Sequence, residues 1–206
     1  MAIVVVGGHS RSVGKTSVVA GLIAALPELH WTAVKITQFG HGICANGSDC
    51  DCASDVHTHL IAEERDRSGE SDSSRFLVAG AERSLWVRTK QGMLAEAMPD
   101  LRARLAHAAH VIIESNSVMK FLRPDLYLTV LDFGTKDFKD TARRYLDLAS
   151  AVILNETAGH TPDWDNVSLK LIRGKPVFRI HPPEYVTPQI VGFVRERMGL
   201  LAAAPD

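Results

Sequence analysis

The chain has 206 residues, 46% of them apolar and 23% charged, the balance of a globular protein with a sizeable core. With 23 Lys+Arg against 24 Asp+Glu the net charge is −1, which excludes a basic field for unspecific nucleic-acid binding. No apolar run approaches the roughly 20 residues that span a bilayer, and Met1–Val6 lacks a charged leader with a cleavage site, so a cytoplasmic, membrane-free protein is expected.

Ile3–Val6 is a β-branched run that enters a glycine-containing loop and reads as the first strand. Lys15–Leu26 follows as a helix, with Val18, Val19, Leu22, Ile23 and Leu26 on one stripe and Pro27 as its stop. A second strand is predicted over Trp31–Ile36. Residues 38–69 then break the rhythm: Gly, Asn, Ser, Asp, His and Cys prevail, relieved by a short apolar stretch near Leu60 and Ile61. A long loop or insertion is predicted there, of the kind that carries function. Helix Ser71–Ala81, strand Ser84–Arg88, helix Leu101–Ala109, strand His110–Glu114 and strand Leu126–Leu131 come next. Helix Lys136–Ala149, strands Ala151–Leu154 and Val177–Ile180, and helix Pro188–Met198 complete the chain. Several strands are apolar throughout, as when helices cover both faces of a parallel sheet. The expected fold is α/β: one domain over residues 1–206, a doubly wound, mostly parallel sheet of about seven strands, with a long Cys/His-rich loop.

Between the first strand and the first helix lies Gly8-His9-Ser10-Arg11-Ser12-Val13-Gly14-Lys15-Thr16, with Ser17 after it. Glycines let the backbone wrap close to oxyanions, while successive N–H groups and the helix start present positive dipole ends. These ten residues are the candidate nucleotide-binding loop of a P-loop NTPase, against the alternative of a chance Gly-Lys-Thr at a helix start. Lys15 would reach the β/γ-phosphates and Thr16 would ligate Mg²⁺. Five residues separate Gly8 from Gly14 where the strict pattern has four, and His9 takes the first glycine's place.

The five-residue spacing resembles the loop of dethiobiotin synthetase and of the cobyrinic acid a,c-diamide synthases, relatives of MinD and the nitrogenase iron protein. Ser10 stands where much of that class carries a signature lysine. The resemblance implies that Lys35, at the end of the second strand, faces phosphates and substrate; a solvated strand end is the alternative. It also implies that Glu114 serves the metal, and a carboxylate at a strand's end beside the loop suits Mg²⁺. Asn155 lies where many nucleotide-binding relatives place a base-reading residue, and the segment from Ile180 to Glu184 would supply another wall. Glu156-Thr157-Ala158 lacks the aspartate that reads guanine, so ATP and GTP both stay open.

The stretch Asp72-Ser73-Ser74-Arg75…Ala79-Gly80-Ala81 is similar to a segment of molybdopterin-guanine dinucleotide biosynthesis protein B, over roughly residues 1 to 130. On residues alone, Asp72 reads as a helix cap that pairs with Arg75 on the surface, or Arg75 as a phosphate contact. Cys44, Cys50 and Cys52 crowd into nine residues, near His41, His57 and His59. Thiolates with one imidazole suit Zn²⁺ or an iron–sulfur centre, the remaining ligand being His57, His59 or a group from a second subunit; free thiols and a disulfide are the alternatives. Asp49, Asp51 and Asp55 are candidate general bases.

The expected function is Mg²⁺-dependent binding and slow hydrolysis of ATP or GTP, with Lys15, Lys35 and Glu114 catalytic, coupled to maturation of a metal or molybdopterin-type cofactor. An ATP-dependent carboxylate ligase and a non-hydrolysing nucleotide-dependent adaptor are the alternatives. Expected partners are the nucleoside triphosphate and a metal-cofactor enzyme or biosynthetic partner, and the resemblance implies a homodimer.

Overall fold

Runs of Val, Ile and Leu become strands because their side chains can be buried on both faces of one sheet. A computed structural model of the chain describes residues 1–39, 58–156, 162 and 164–199. Among these lie eight strands: β1 (Ala2–Gly8), β2 (Trp31–Phe39), β3 (His59–Glu63), β4 (Arg83–Lys90), β5 (His110–Glu114), β6 (Leu126–Asp132), β7 (Ala151–Asn155) and β8 (Val177–Ile180). They form one sheet in the order β3-β4-β2-β5-β1-β6-β7-β8. β3 runs antiparallel to β4; every other pairing is parallel.

The helices are α1 (Lys15–Ala25), α2 (Asp72–Val78), α3 (Leu94–Leu105), α4 (Asp140–Tyr145) and α5 (Pro188–Arg197). Alternation along β1 sorts them into two layers. Val4 and Val6 pack with Val18, Val19, Leu22 and Ile23 of α1, Phe76 of α2 and Ile190 and Val194 of α5. Val5 points the other way and joins Val34, Leu85, Ile113 and the Leu94–Met98–Leu101–Leu105 stripe of α3. The fold is thus α/β with a mostly parallel sheet between helical layers. No described helix is long and apolar enough to cross a membrane.

Three elements differ from their sequence-based expectation. The predicted loop 38–69 contains a strand: β3 pairs Ile61 with Val87 on the sheet edge, burying Ile61 and leaving Leu60 half exposed. α3 starts at Leu94, seven residues before the predicted start, and carries Pro99 inside it. A mid-helix proline costs about 3 kcal/mol. Burial of Leu94, Met98, Leu101 and Leu105 outweighs that at roughly 1.5–3 kcal/mol per large apolar side chain. The predicted helix Lys136–Ala149 is shortened to α4 and a 3-10 turn at Leu146–Leu148, because residues 132–139 bond to the β1–α1 loop instead.

Candidate nucleotide site

Parallel strands end together, so β1, β2, β5, β6 and β7 deliver their C-terminal residues to one rim. β1 turns there through Gly8 into the loop that opens α1. Two residues of that turn are left-handed, Ser12 (φ 55°) and Gly14 (φ 97°). Gly14 has a second reason to lack a side chain, since a Cβ would lie 2.6 Å from the Tyr185 ring. The first N–H groups of α1 have no carbonyl in a preceding turn and point toward the rim. A glycine–lysine loop between the first strand and first helix of such a sheet is of the P-loop type.

Two groups converge on Glu114, which is 3% exposed at the end of β5. Thr16 donates its hydroxyl to Oε2 at 2.8 Å, and Lys35 Nζ donates to Oε1 at 2.6 Å. The register that sets Lys35 beside Glu114 follows from the parallel pairing of β2 with β5. Lys35 also meets Asp72 Oδ2 at 2.6 Å, so two carboxylates hold its ammonium. Asp72 is therefore not the cap of α2: Ser71 is, accepting from Ser74 N at 3.0 Å. Arg75 likewise does not pair with Asp72 but donates to Ser17 Oγ at 3.1 Å, tying α2 to α1. Lys15 Nζ donates to Ser10 O at 2.5 Å. Burial, with the Lys139 and Lys35 charges adding to it against Glu114, pushes Lys15 down to about 8.

His9 turns away from the loop mouth. Asp132 N–H donates to its Nε2 at 3.0 Å, so Nδ1 carries the proton and donates to Asp137 O at 2.8 Å. The buried ring packs between Phe138 and Trp164, and burial lowers its pKa. Ser10 Oγ donates to Asp137 Oδ2 at 2.6 Å. Val13 is buried, whereas Arg11 and Ser12 are exposed. Asn155 closes β7 and donates to Asp132 Oδ2 at 3.3 Å, on the same rim. The segment after Ile180 reaches back to α1, where Tyr185 covers Gly14. A groove of about 440 Å³ runs along α1, lined by Ser17, Gly21, Arg75 and Tyr185; Lys15, Lys35 and Glu114 do not line it.

Sequence reasoning missed two residues. Asn116 accepts from Gly8 N at 2.9 Å and donates to Gly8 O at 2.7 Å, clamping the start of the loop. Lys139 donates its backbone N–H to His9 O at 2.8 Å and places a half-buried ammonium on the same rim. Neither stands in a local pattern, because both act across more than a hundred residues of chain.

A hydroxyl and a carboxylate side by side are hard oxygen donors, and Mg²⁺ takes one or two such protein ligands beside phosphate oxygens. Thr16 and Glu114 fit that requirement. Cys44, Cys50, Cys52, His57, Asp49, Asp51 and Asp55 lie outside the described residues. His59 opens β3 with Nδ1 3.3 Å from Thr58 Oγ1. Among the described residues no group of three or more His, Cys, Asp or Glu is arranged to hold a metal ion.

No family model matches the chain, and no curated protein matches it. Among solved structures it is similar to HypB from Helicobacter pylori in complex with nickel, at 14% identity and a TM-score of 0.46. That likeness covers 100% of this chain and 91% of the other. It is also similar to the "apo" form of LpxK from Aquifex aeolicus in complex with ATP, at 17% identity and a TM-score of 0.48. There 87% of this chain covers 53% of that one, about half its length.

Proposed function

We propose that the chain binds a nucleoside triphosphate with Mg²⁺ at the loop between β1 and α1 and hydrolyses it slowly. One observation carries this reading: Thr16 opens the helix beside Lys15 and meets Glu114 at 2.8 Å at the mouth of the loop. In this reading Lys15 and the loop amides hold the β/γ-phosphates, while Thr16 and Glu114 hold the metal. Mg²⁺ bound there would neutralise phosphate charge. Lys35 acts on Glu114, fixing the carboxylate through its 2.6 Å contact. A carboxylate ligase would need Lys35 for its substrate; the grip of Asp72 and Glu114 on that ammonium favours hydrolysis.

A metal or molybdopterin-type cofactor as cargo, with a biosynthetic partner and a homodimer, is the part of the proposal that rests on sequence resemblance and on Cys44, Cys50 and Cys52. Phe39 and Thr58, between which those cysteines lie in sequence, stand at the same end of the sheet as Lys35. Asn155, on the rim beside Asp132, would meet the base.

Calorimetric titration with ATP and with GTP, in Mg²⁺ and in EDTA, tests the reading. One nucleotide should bind more tightly in Mg²⁺, and Thr16→Ala should weaken that binding about tenfold. Absence of binding to both nucleotides overturns it. Binding without phosphate release would make the protein a nucleotide-dependent adaptor rather than a hydrolase.

A further inference from the structure

Lys15, Lys35 and Lys139 stand close enough on the rim to act on one another's charge, and the first two are held. Lys15 donates to Ser10 O, and Lys35 sits between Glu114 and Asp72. Lys139 has no side-chain hydrogen bond or ion pair among the described residues, yet it is half buried. Its position is tightly set. The connection that carries it is joined to the loop by Asp132 N to His9 Nε2 (3.0 Å) and by His9 Nδ1 to Asp137 O (2.8 Å). Ser10 Oγ to Asp137 Oδ2 (2.6 Å) and Lys139 N to His9 O (2.8 Å) complete the join.

Those bonds also fix which part of a nucleotide Lys139 would meet. Lys15 places its ammonium at Ser10 O, and a lysine at this loop position serves the β/γ end of a triphosphate. Lys139 N–H bonds to His9 O and its charge acts on the Lys15 ammonium, so it borders that same end. Burial lowers the pKa of Lys139, and the Arg11, Lys35 and Lys15 charges lower it further against the opposing pull of Asp137 and Glu114. A half-buried cation among like charges is costly, and a polyanion between them relieves the cost.

We propose that Lys139 is a ligand of the terminal phosphate, supplied by the β6–α4 connection, and that it lets the site tell a nucleoside triphosphate from a diphosphate. This rests on the reading of the loop as a nucleotide site. It assigns the 132–139 connection a purpose that its hydrogen bonds alone leave open: His9 and Asp137 hold Lys139 in place.

The test compares affinities for the triphosphate and diphosphate of the bound base, in Mg²⁺, for the unaltered protein and for Lys139→Met, Lys139→Gln and Lys139→Arg. Lys120→Met, at an exposed site beside Phe121, controls for net charge. Lys139→Met and Lys139→Gln should lose triphosphate affinity about tenfold or more while diphosphate affinity changes less than about twofold. Lys139→Arg should recover most of the loss. An unchanged triphosphate-to-diphosphate ratio in both neutral variants overturns the proposal, as does an equal loss for both ligands. If the unaltered protein binds neither nucleotide, the nucleotide reading itself falls, and this assignment with it.

Discussion

At His9 one neutral imidazole joins two loops that are far apart in sequence. Its Nε2 must accept from Asp132 N–H and its Nδ1 must donate to Asp137 O, so only the uncharged ring satisfies both. Burial lowers its pKa accordingly. Between the lowered native value and the ordinary unfolded value near 6.5, the unfolded chain binds more protons than the native one. This residue's contribution is therefore fully present above the unfolded value and is lost as pH falls through that window. Urea unfolding at pH 7.5 and pH 5.5 should show a smaller acid-side loss in His9→Gln than in the unaltered protein. An identical loss in both would remove His9 as the source. Asn116 works at the same scale, since its single amide occupies both the N–H and the C=O of Gly8.

α2 is a seven-residue helix that depends on its ends as much as on its interior. Ser71 accepts from Ser74 N–H at the start, and Ser73 and Ser71 both donate to Glu64 Oε2. At its end Gly80 takes φ 106°, which lets Ala81 N donate to Phe76 O and Gly80 N to Leu77 O. A Cβ at Gly80 would meet nothing within 4 Å, so its cost is backbone strain alone. Gly80→Ala should lower unfolding stability by about 1 kcal/mol without changing nucleotide affinity. Denaturant unfolding beside a binding titration checks both. A change in affinity would mean that the end of α2 also positions Asp72 and Arg75 at the site.

Across the whole molecule, the buried clusters draw on residues 4–36 and 61–194 and sandwich the sheet between two helical layers. Phe39 and Thr58 flank Gln91 and Lys90, with Phe39 O accepting from Gln91 N at 2.9 Å and Thr58 O from Lys90 N at 3.1 Å. They end β2 and precede β3, which lie on either side of β4, so a join must cross about 10 Å. Six residues reach roughly 20 Å when extended. Replacing residues 40–57 by a six-residue Gly/Ser linker should leave the melting temperature within about 5 °C, because the named core is retained. It should also leave nucleotide binding intact. Protein purified without oxygen should carry near-stoichiometric zinc or iron, and the linker variant should carry none. Equal metal content in the two would remove Cys44, Cys50 and Cys52 as its ligands.

Much of the architecture is legible in local pattern. Alternating β-branched strands and amphipathic helices specify a parallel α/β sheet, and Gly14-Lys15-Thr16 after β1 marks the loop at its rim. His110–Glu114 and Val177–Ile180 match their observed strands residue for residue, the first through the continuous apolar run Val111-Ile112-Ile113, the second through β-branched Val177 and Ile180 at its ends. β3 was hidden because an edge strand needs only one buried face, and the short stretch Leu60-Ile61-Ala62, of which only Ile61 is buried, is a weak signal. The start of α3 was hidden because Pro99 argues against a helix locally, while burial of four large side chains against the sheet decides for one. The site divides in the same way. Lys15 and Thr16 are readable from spacing, whereas the partners of Lys35, Asp72 and His9 depend on strand register and on contacts between distant segments. Short-range periodicity can name the elements, but electrostatic pairing is set by which strand ends meet, and only the folded chain brings those together.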